Sequence, residues 1–536
     1  GVPVFYTPHH EWVLEGRGSG FLAPTFGRYS ESDPSDINDS RLGDYKVRIP
    51  YYFNIAPDRD FLLTLNQLSS RGSVVEGKYR QLIASNKYLD KGRFEVEGHY
   101  LNEDDITNNK RWLLNSSIDL SINDKTELSL VTNRVSDKDY FKEIAHSDTS
   151  ATALHSHIDL TYADEAQDLS MAVFAETEQL INNGSAAYTR APEVSISKSF
   201  KGMDNRQMDL SLVSTKFQHQ TSTDTGVRTH AQANFSRPIT TNAYSLTPKL
   251  NLFSTDYALD NAADESRSIY SFGLDSKLFL EREASFFGTD LIQTLTPRLA
   301  YNYTPSKANP SVNFDSADKN DSYEGLFSGQ KFTGIDIINK ANDFTFGLES
   351  DFMDEETGDT YLSLKSAQSF YGDAISPNGA DRKYSDIALS ADFGLNDFTF
   401  NNALQYDPET NKIDKRDSSV SYILNPRKFL TLAHHYDRAN SDPKSIELYG
   451  AYPLTQQVHV FAGINRSQNQ ITNNWTTSKE TTGVAYESCC WALRLAHFKK
   501  SIAINDYEYA TSFELVLKGL ATTSPSLSRR LEDEVP

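Results

Sequence analysis

Apolar and polar residues alternate along this chain almost from end to end. Phe94, Val96, Gly98 and Tyr100 are interleaved with Glu95, Glu97 and His99, and Leu169, Met171, Val173 and Ala175 follow the same rule. The pattern returns at Phe344, Phe346 and Leu348, at Ile387, Leu389, Ala391 and Phe393, at Val458, Val460 and Ala462, and at Phe513, Leu515 and Leu517. A period of two places successive side chains on opposite faces of a strand, so each segment predicts a strand with one apolar and one polar face. Turn clusters such as Asp407-Pro408-Glu409-Thr410-Asn411 and Asn425-Pro426-Arg427 separate the segments. Longer polar loops run over residues 30–43, 309–324 and 374–382. No long amphipathic helix and no Gly/Pro/Ser linker interrupts the series.

Short turns alternating with long acidic loops suit a barrel that has one short-turn rim and one long-loop rim. At roughly 20 residues per strand and connection, the 536 residues hold about 24 to 26 strands. That is too many for one sandwich, and no propeller-like repeat is present. The expected fold is all-β: a large transmembrane antiparallel barrel of about 26 strands over residues 11–520, with a tail over residues 521–536 that lacks strand pattern.

Composition narrows the class. The net charge of −21 argues against nucleic-acid binding, which needs a basic surface. A mean hydropathy of −0.53 and the absence of any long apolar run exclude transmembrane helices. They do not exclude membrane strands, which are apolar on one face only. The 28 Tyr and 30 Phe suit strands and the aromatic girdles of outer-membrane barrels. No signal peptide opens the chain, which begins with Gly1-Val2-Pro3-Val4 and reads as a mature product or a fragment of a longer one.

Nothing resembles an enzyme site. His155 and His157 share one strand face but read as polar residues facing a wet lumen. Gly16-Arg17-Gly18-Ser19-Gly20 is neither a P-loop nor a nucleophile elbow and reads as a strand start. Asp315, Asp318, Asn320 and Asp321 have calcium-ligand chemistry without the spacing of a calcium loop, and read as solvated loop. No metal site and no cofactor is expected.

The prolines and cysteines say more. Pro24 ends Phe21-Leu22-Ala23-Pro24, and Pro50 opens Pro50-Tyr51-Tyr52-Phe53-Asn54-Ile55-Ala56-Pro57. Proline has no N–H for a ladder, so two prolines in the first two strands would weaken pairing where a barrel closes on itself. The only two cysteines, Cys489 and Cys490, are adjacent. The flanking alternation reads as a strand, on which their side chains would diverge and bond poorly to each other. Both are then free thiols, or their partners lie on polypeptide outside this chain.

Pro50 to Pro57 and Ser488-Cys489-Cys490-Trp491-Ala492 together resemble the LptD family of outer-membrane lipopolysaccharide-assembly proteins. Further matches follow in order: Arg17 with Ser19-Gly20-Phe21-Leu22 and Pro24; Val135-Ser136-Asp137 with Tyr140-Phe141; Gln293-Thr294-Leu295 with Pro297-Arg298; Gly325-Leu326-Phe327; and Phe332-Thr333-Gly334 with Asp336 and Ala341-Asn342. The motif residues are Tyr51, Tyr52, Asn54, Pro57, Gly334, Asp336, Asn342 and Trp491. One departure is Ile337, where the family usually carries Arg.

The resemblance implies a 26-stranded barrel plugged by the lipoprotein LptE. It implies lipopolysaccharide as substrate, delivered through a periplasmic LptA bridge to an N-terminal jelly-roll domain. That domain is mostly absent here, with residues 1–10 as its junction. It also implies a lateral gate between first and last strands, at Pro24 and Pro50, that opens to outer-membrane lipids. Cys489 and Cys490 are each expected to pair with a cysteine of the N-terminal domain, near the periplasmic end of the barrel. The alternative class is a passive porin or a nutrient-uptake receptor barrel.

Overall fold

A computed structural model of the chain describes residues 18–22, 24–31, 44–87, 89–145, 152–181, 185–286, 289–319, 321–375, 382–425, 427–439, 444–468, 473–489, 491–503, 506–517 and 521–522. Each strand pairs antiparallel with the next in sequence. The ring closes where Thr25–Glu31 meets Asp506–Leu517, giving a closed antiparallel barrel of 26 strands. Four of these strands are interrupted: Gly20–Phe21 with Thr25–Glu31, Gly226–Ser236 with Ile239–Thr240, Glu265–Leu278 with Leu280–Phe286, and Arg382–Tyr384 with Ile387–Leu395. Among the described residues no helix is long and apolar enough to cross a membrane. The expected fold class is borne out.

The two-residue period decides which side chain meets which solvent. Phe344 and Phe346 point outward and are about half exposed, whereas Thr345 between them faces inward and is fully buried. The outward face carries rows of large apolar residues set by the strand register. One row runs Phe200, Met208, Phe235, Leu250, Phe272 and Tyr303 across six neighbouring strands. Such a face is stable only against lipid, because in water it would be one continuous apolar patch. The inward face holds Asn66, Glu76, Arg111, Arg228, His230, Arg267 and Arg298, all buried.

An even number of strands brings both chain ends to one rim. That rim carries the short connections, among them Pro57-Asp58, Asp124-Lys125, Asn396-Asp397 and the turn after Glu487. The opposite rim carries the long ones, including residues 136–152 and 305–340. The described parts of both loops, residues 136–145 of the first and 305–319 and 321–340 of the second, fold back into the lumen. Tyr140 and Ile144 pack with Leu68, Val74, Leu101, Leu113 and Val135. Val312 and Phe314 pack on Phe217, Tyr257 and Leu259, while Tyr323, Leu326 and Phe327 pack on Ala300, Ala367 and Ala388. Gly347 makes the last contact possible, since a Cβ there would lie 2.6 Å from the Phe327 ring. The apolar core therefore consists of separate clusters on the inner wall rather than one central mass.

Candidate functional site

Three features concentrate around the ends of the chain and the lumen. The first is the seam. Gly20 and Phe21 pair with Tyr52 and Tyr51, but Thr25 resumes opposite Arg48, so the register steps by one residue between the two pieces. Pro24 lies in that step, and Pro50 faces it on the second strand. Both prolines lack the N–H that would carry the ladder through. Leu22 salvages one bond by donating to the Pro50 carbonyl at 2.9 Å. The step restores the facing: Phe21 and Phe26 both point outward, and Phe21 meets Tyr51 edge-on at 4.9 Å.

The consequence appears on the other side of the first strand. Among the described residues it pairs with the last strand only from Phe26↔Phe513 to Glu31↔Glu508. The neighbouring ladder, between Trp491–Ala503 and Asp506–Leu517, runs the full strand length from Trp491↔Leu517 to Ala503↔Asp506. Toward the short-turn rim, Val516 and Leu517 pair instead with Thr522 and Ala521. That two-residue strand falls within the segment expected to lack strand structure. The last strands themselves are braced. Phe461 lies against the bare backbone of Gly483, and Phe429, Ala451, Ala485, Ala496 and Phe498 complete an inward apolar cluster.

The second feature is the cysteine turn. The expectation of a strand through the cysteines is corrected at Cys489: Trp475–Glu487 ends before it and Trp491–Ala503 begins after it. Cys489 lies in a tight hairpin turn at the short-turn rim. Ser488 closes it, its N–H donating to the Trp491 carbonyl at 2.9 Å and its Oγ accepting from the Trp491 N–H at 3.1 Å. Trp491 also stacks near Tyr486, ring centres 4.8 Å apart. Cys489 is exposed there, and Cys490 lies outside the described residues. Beside the turn Glu487 is ion-paired to Arg427.

The third feature fixes the 305–340 loop in the lumen. The Asp336 carboxylate is fully buried and accepts from Arg228 at 2.8 Å, Tyr257 at 2.8 Å, and the Phe314 and Asp315 N–H groups at 2.7 and 3.1 Å. Arg267 donates to the Asp336 and Ile335 carbonyls at 2.8 and 2.7 Å. Gly334 has φ 71°, and any Cβ there would collide with Asp315. Asp315 pairs with Arg228 at 2.8 Å, which overturns its reading as a solvated loop residue. Burial raises the Asp315 carboxyl, but Arg228 and the Ile335 N–H outweigh it and hold it below the usual carboxylate range. A second anchor sits at Arg298, held by Asp275 at 2.8 Å and Glu324 at 2.8 Å and lying 3.8 Å over the Phe327 ring. The 136–152 loop is fixed likewise: Arg111 bridges Asp104, Asp137 and Glu143, all within 3.0 Å.

The remaining motif residues are structural neighbours of these features. Tyr52 donates to Asp60 at 3.1 Å, and the Asn54 N–H donates to Ser19 Oγ at 2.9 Å. Pro57 lies in the turn that follows the second strand. Asn342 accepts from Tyr301 at 3.0 Å just after the lumen loop. Arg228, Tyr257, Arg267 and Arg111 escaped the sequence reading, because isolated cations and a tyrosine on strands carry no motif. Asp386, Asp407 and Asp414 bring three carboxylates together, but Arg382 lies 2.8 Å from Asp386 and 3.0 Å from Asp407, and Arg438 lies 2.9 Å from Asp414, so two cations already occupy the cluster.

The family model and the curated relatives agree on one family. The profile of LptD, LPS transport system D, matches residues 109–475. The LPS-assembly protein LptD of Thiobacillus denitrificans is 26% identical over 100% of this chain and 72% of its own length. That of Ralstonia nicotianae is 28% identical over 97% of this chain and 65% of its own length. That of Idiomarina loihiensis is 25% identical over 99% and 72%. Among solved structures, the siderophore receptor PirA from Acinetobacter baumannii covers 93% of this chain and 80% of its own, at 10% identity and a TM-score of 0.33.

Proposed function

This chain belongs to the LptD family, LPS transport system D, and on that premise we propose that it carries lipopolysaccharide through a plugged barrel and releases it sideways, between its first and last strands, into the outer leaflet. The family is one of transport and assembly rather than of enzymes, and the 26-strand barrel is that of a Gram-negative outer-membrane protein. The short-turn rim then faces the periplasm, as in other outer-membrane barrels.

The observation that carries the reading is the seam. Among the described residues its ladder stops at Phe26↔Phe513 and leaves the last third of the final strand, residues 514–517 nearest the short-turn rim, without first-strand partners. Acyl chains are costly to hold among inward residues such as Arg228 and Arg298, and favourable among lipid tails. A weak seam lets the sugars stay in the polar lumen while the lipid part leaves through the wall. Energy must come from elsewhere, since no nucleotide-binding motif occurs in the sequence. Within the same reading, LptE occupies the lumen and LptA delivers substrate to an N-terminal domain. The turn at Cys489 and Cys490 ties that domain to the rim by disulfides. The turn and the first strand's start share one rim, only two strands apart around the ring, which suits such a tie.

A cysteine pair at Gly27→Cys and Ser512→Cys, directly opposite across the seam, tests the gate. Formation of that crosslink is expected to stop delivery of lipopolysaccharide to the cell surface. A control pair inside a continuous ladder, Gln232→Cys with Phe253→Cys, is expected to leave it unchanged. Normal delivery with the seam fully crosslinked overturns the reading. The porin or receptor alternative has less behind it, because the family model and the relatives named above are all LptD.

A further inference from the structure

We propose that the outer wall carries a binding groove for an anionic phospholipid, beside the rim turn at residues 202–206. The groove has a volume of about 450 Å³, within the roughly 300–1,000 Å³ of ligand pockets. Its wall is the outward row of Phe200, Met208, Phe235, Leu250 and Phe272. These residues come from five adjacent strands and sit opposite one another in register. Where the row crosses the Gly226–Ser236 strand, the ladder thins. Arg237 donates to the Pro248 carbonyl at 3.2 Å, and neither Pro248 nor Pro238 has an N–H to return.

The charge at the groove picks the occupant. Its lining residues include two outward cations, Arg206 and Arg237, and no carboxylate. In a chain of net charge −21, that local excess stands out. Arg206 and Arg237 are exposed, and no ion pair engages either among the described residues. Lys249 borders the groove with its backbone side but alternates inward, 4.0 Å from Asp275 in the lumen, and does not belong to the site. A third cation, Lys198, lies 5.3 Å over the Phe200 ring and reaches the same side of the groove. Apolar rings below and guanidinium groups above match an acyl chain and a phosphate. Basic residues at headgroup depth each add about 1 kcal/mol of attraction to anionic lipid. The inference rests on the membrane orientation given above, which puts this rim in the inner, phospholipid leaflet. The occupant is therefore a phospholipid rather than lipopolysaccharide.

Native mass spectrometry of the intact protein, released from nanodiscs of mixed phosphatidylglycerol and phosphatidylethanolamine, tests the site. Phosphatidylglycerol is expected to be retained preferentially. Arg206→Gln with Arg237→Gln is expected to cut that preference about tenfold, the loss of one or two charge-assisted contacts. Lys91→Gln, an exposed cation of the same rim, is expected to leave it intact. Leu250→Trp, which fills the groove and keeps every cation, is expected to abolish retention of the tightly held lipid. Equal retention of both lipids by the native protein would mean annular lipid only and overturns the site. So does a preference that survives either groove variant. Because the readout is lipid retention and not export, its failure leaves the transport reading standing, and a failed seam crosslink leaves the groove standing.

Discussion

Asp336 and Arg228 are 108 residues apart in sequence, yet their carboxylate and guanidinium meet at 2.8 Å inside the barrel. Both are almost completely shielded from water. A long loop entering a lumen gains little from its own backbone, so this pair and its satellites decide whether it stays there.

Asp336→Asn removes the charge that pairs with Arg228 and leaves Arg228 against Asp315 alone. Breaking a buried pair costs about 3 to 5 kcal/mol, and part of that is recovered here through Asp315. The expected result is a lower unfolding temperature by heat-modifiability on gels. Larger single-channel conductance is expected too, as the loop leaves the lumen. Gly334→Ala should act in the same direction, because a Cβ at φ 71° meets Asp315. Unchanged conductance in both variants would show that the loop is held by other contacts.

The loop anchors also set an acid limit. Asp315 and Asp104 are both held below the ordinary carboxylate value, despite burial that pushes each up; for Asp104 the Ile106 N–H and the Arg71 and Arg111 guanidinium groups outweigh it. A depressed folded value adds stability above the unfolded value of about 3.9, and that stability is lost as pH falls through the folded value. The contribution of Asp315 and Asp104 to loop anchoring should therefore be constant from neutral pH down to about pH 4 and be lost only below it. Protease accessibility of residues 305–340 against pH measures this; cleavage that begins well above that point contradicts it.

Pro24→Ala with Pro50→Ala returns two N–H groups to the first two strands. The ladder is expected to extend toward the short-turn rim, raising the unfolding temperature while slowing lipopolysaccharide delivery to the surface. Accessibility of surface lipopolysaccharide to antibody or modifying enzyme follows the second effect. Faster or unaltered delivery with a stabilised barrel would separate the prolines from transport.

Phe461→Ala empties the space over Gly483 in the inward cluster of the last strands. A loss of about 3 to 5 kcal/mol is typical of such a truncation. Gly483→Val should be comparably harmful, since its side chain would occupy the place of the Phe461 ring. Both should lower barrel stability by the same gel assay, and neither result depends on the seam.

The strand pattern was readable because a barrel wall has a different solvent on each face. Lipid selects Phe344 and Phe346, and the lumen selects Thr345. The prolines of the first two strands were readable for the same local reason, a missing N–H. The cysteine turn was not. Ser488 to Trp491 contains no Gly, Pro, Asn or Asp, and the turn is closed by a serine hydroxyl, so the alternation runs through it unmarked. The lumen loops were least legible of all. Asp315 looks like a solvated acid, and Asp336 carries a motif match without a partner, until Arg228, Tyr257 and Arg267 arrive from strands far away in sequence. Pairings of that range leave no periodic trace.

The one-residue step at Pro24 also sets how the wall can part. Six rungs from Phe26 to Glu31 remain zipped near the long-loop end. At about 1 kcal/mol net per backbone hydrogen bond, undoing them all is a cost on the order of several kcal/mol, and more where lipid offers no replacement partner. Among the described residues, separation from the opposite end meets only the short Ala521–Thr522 return. In the proposed gate the wall is thus a zipper with its stop at the far end, unfastening upward from the short-turn rim.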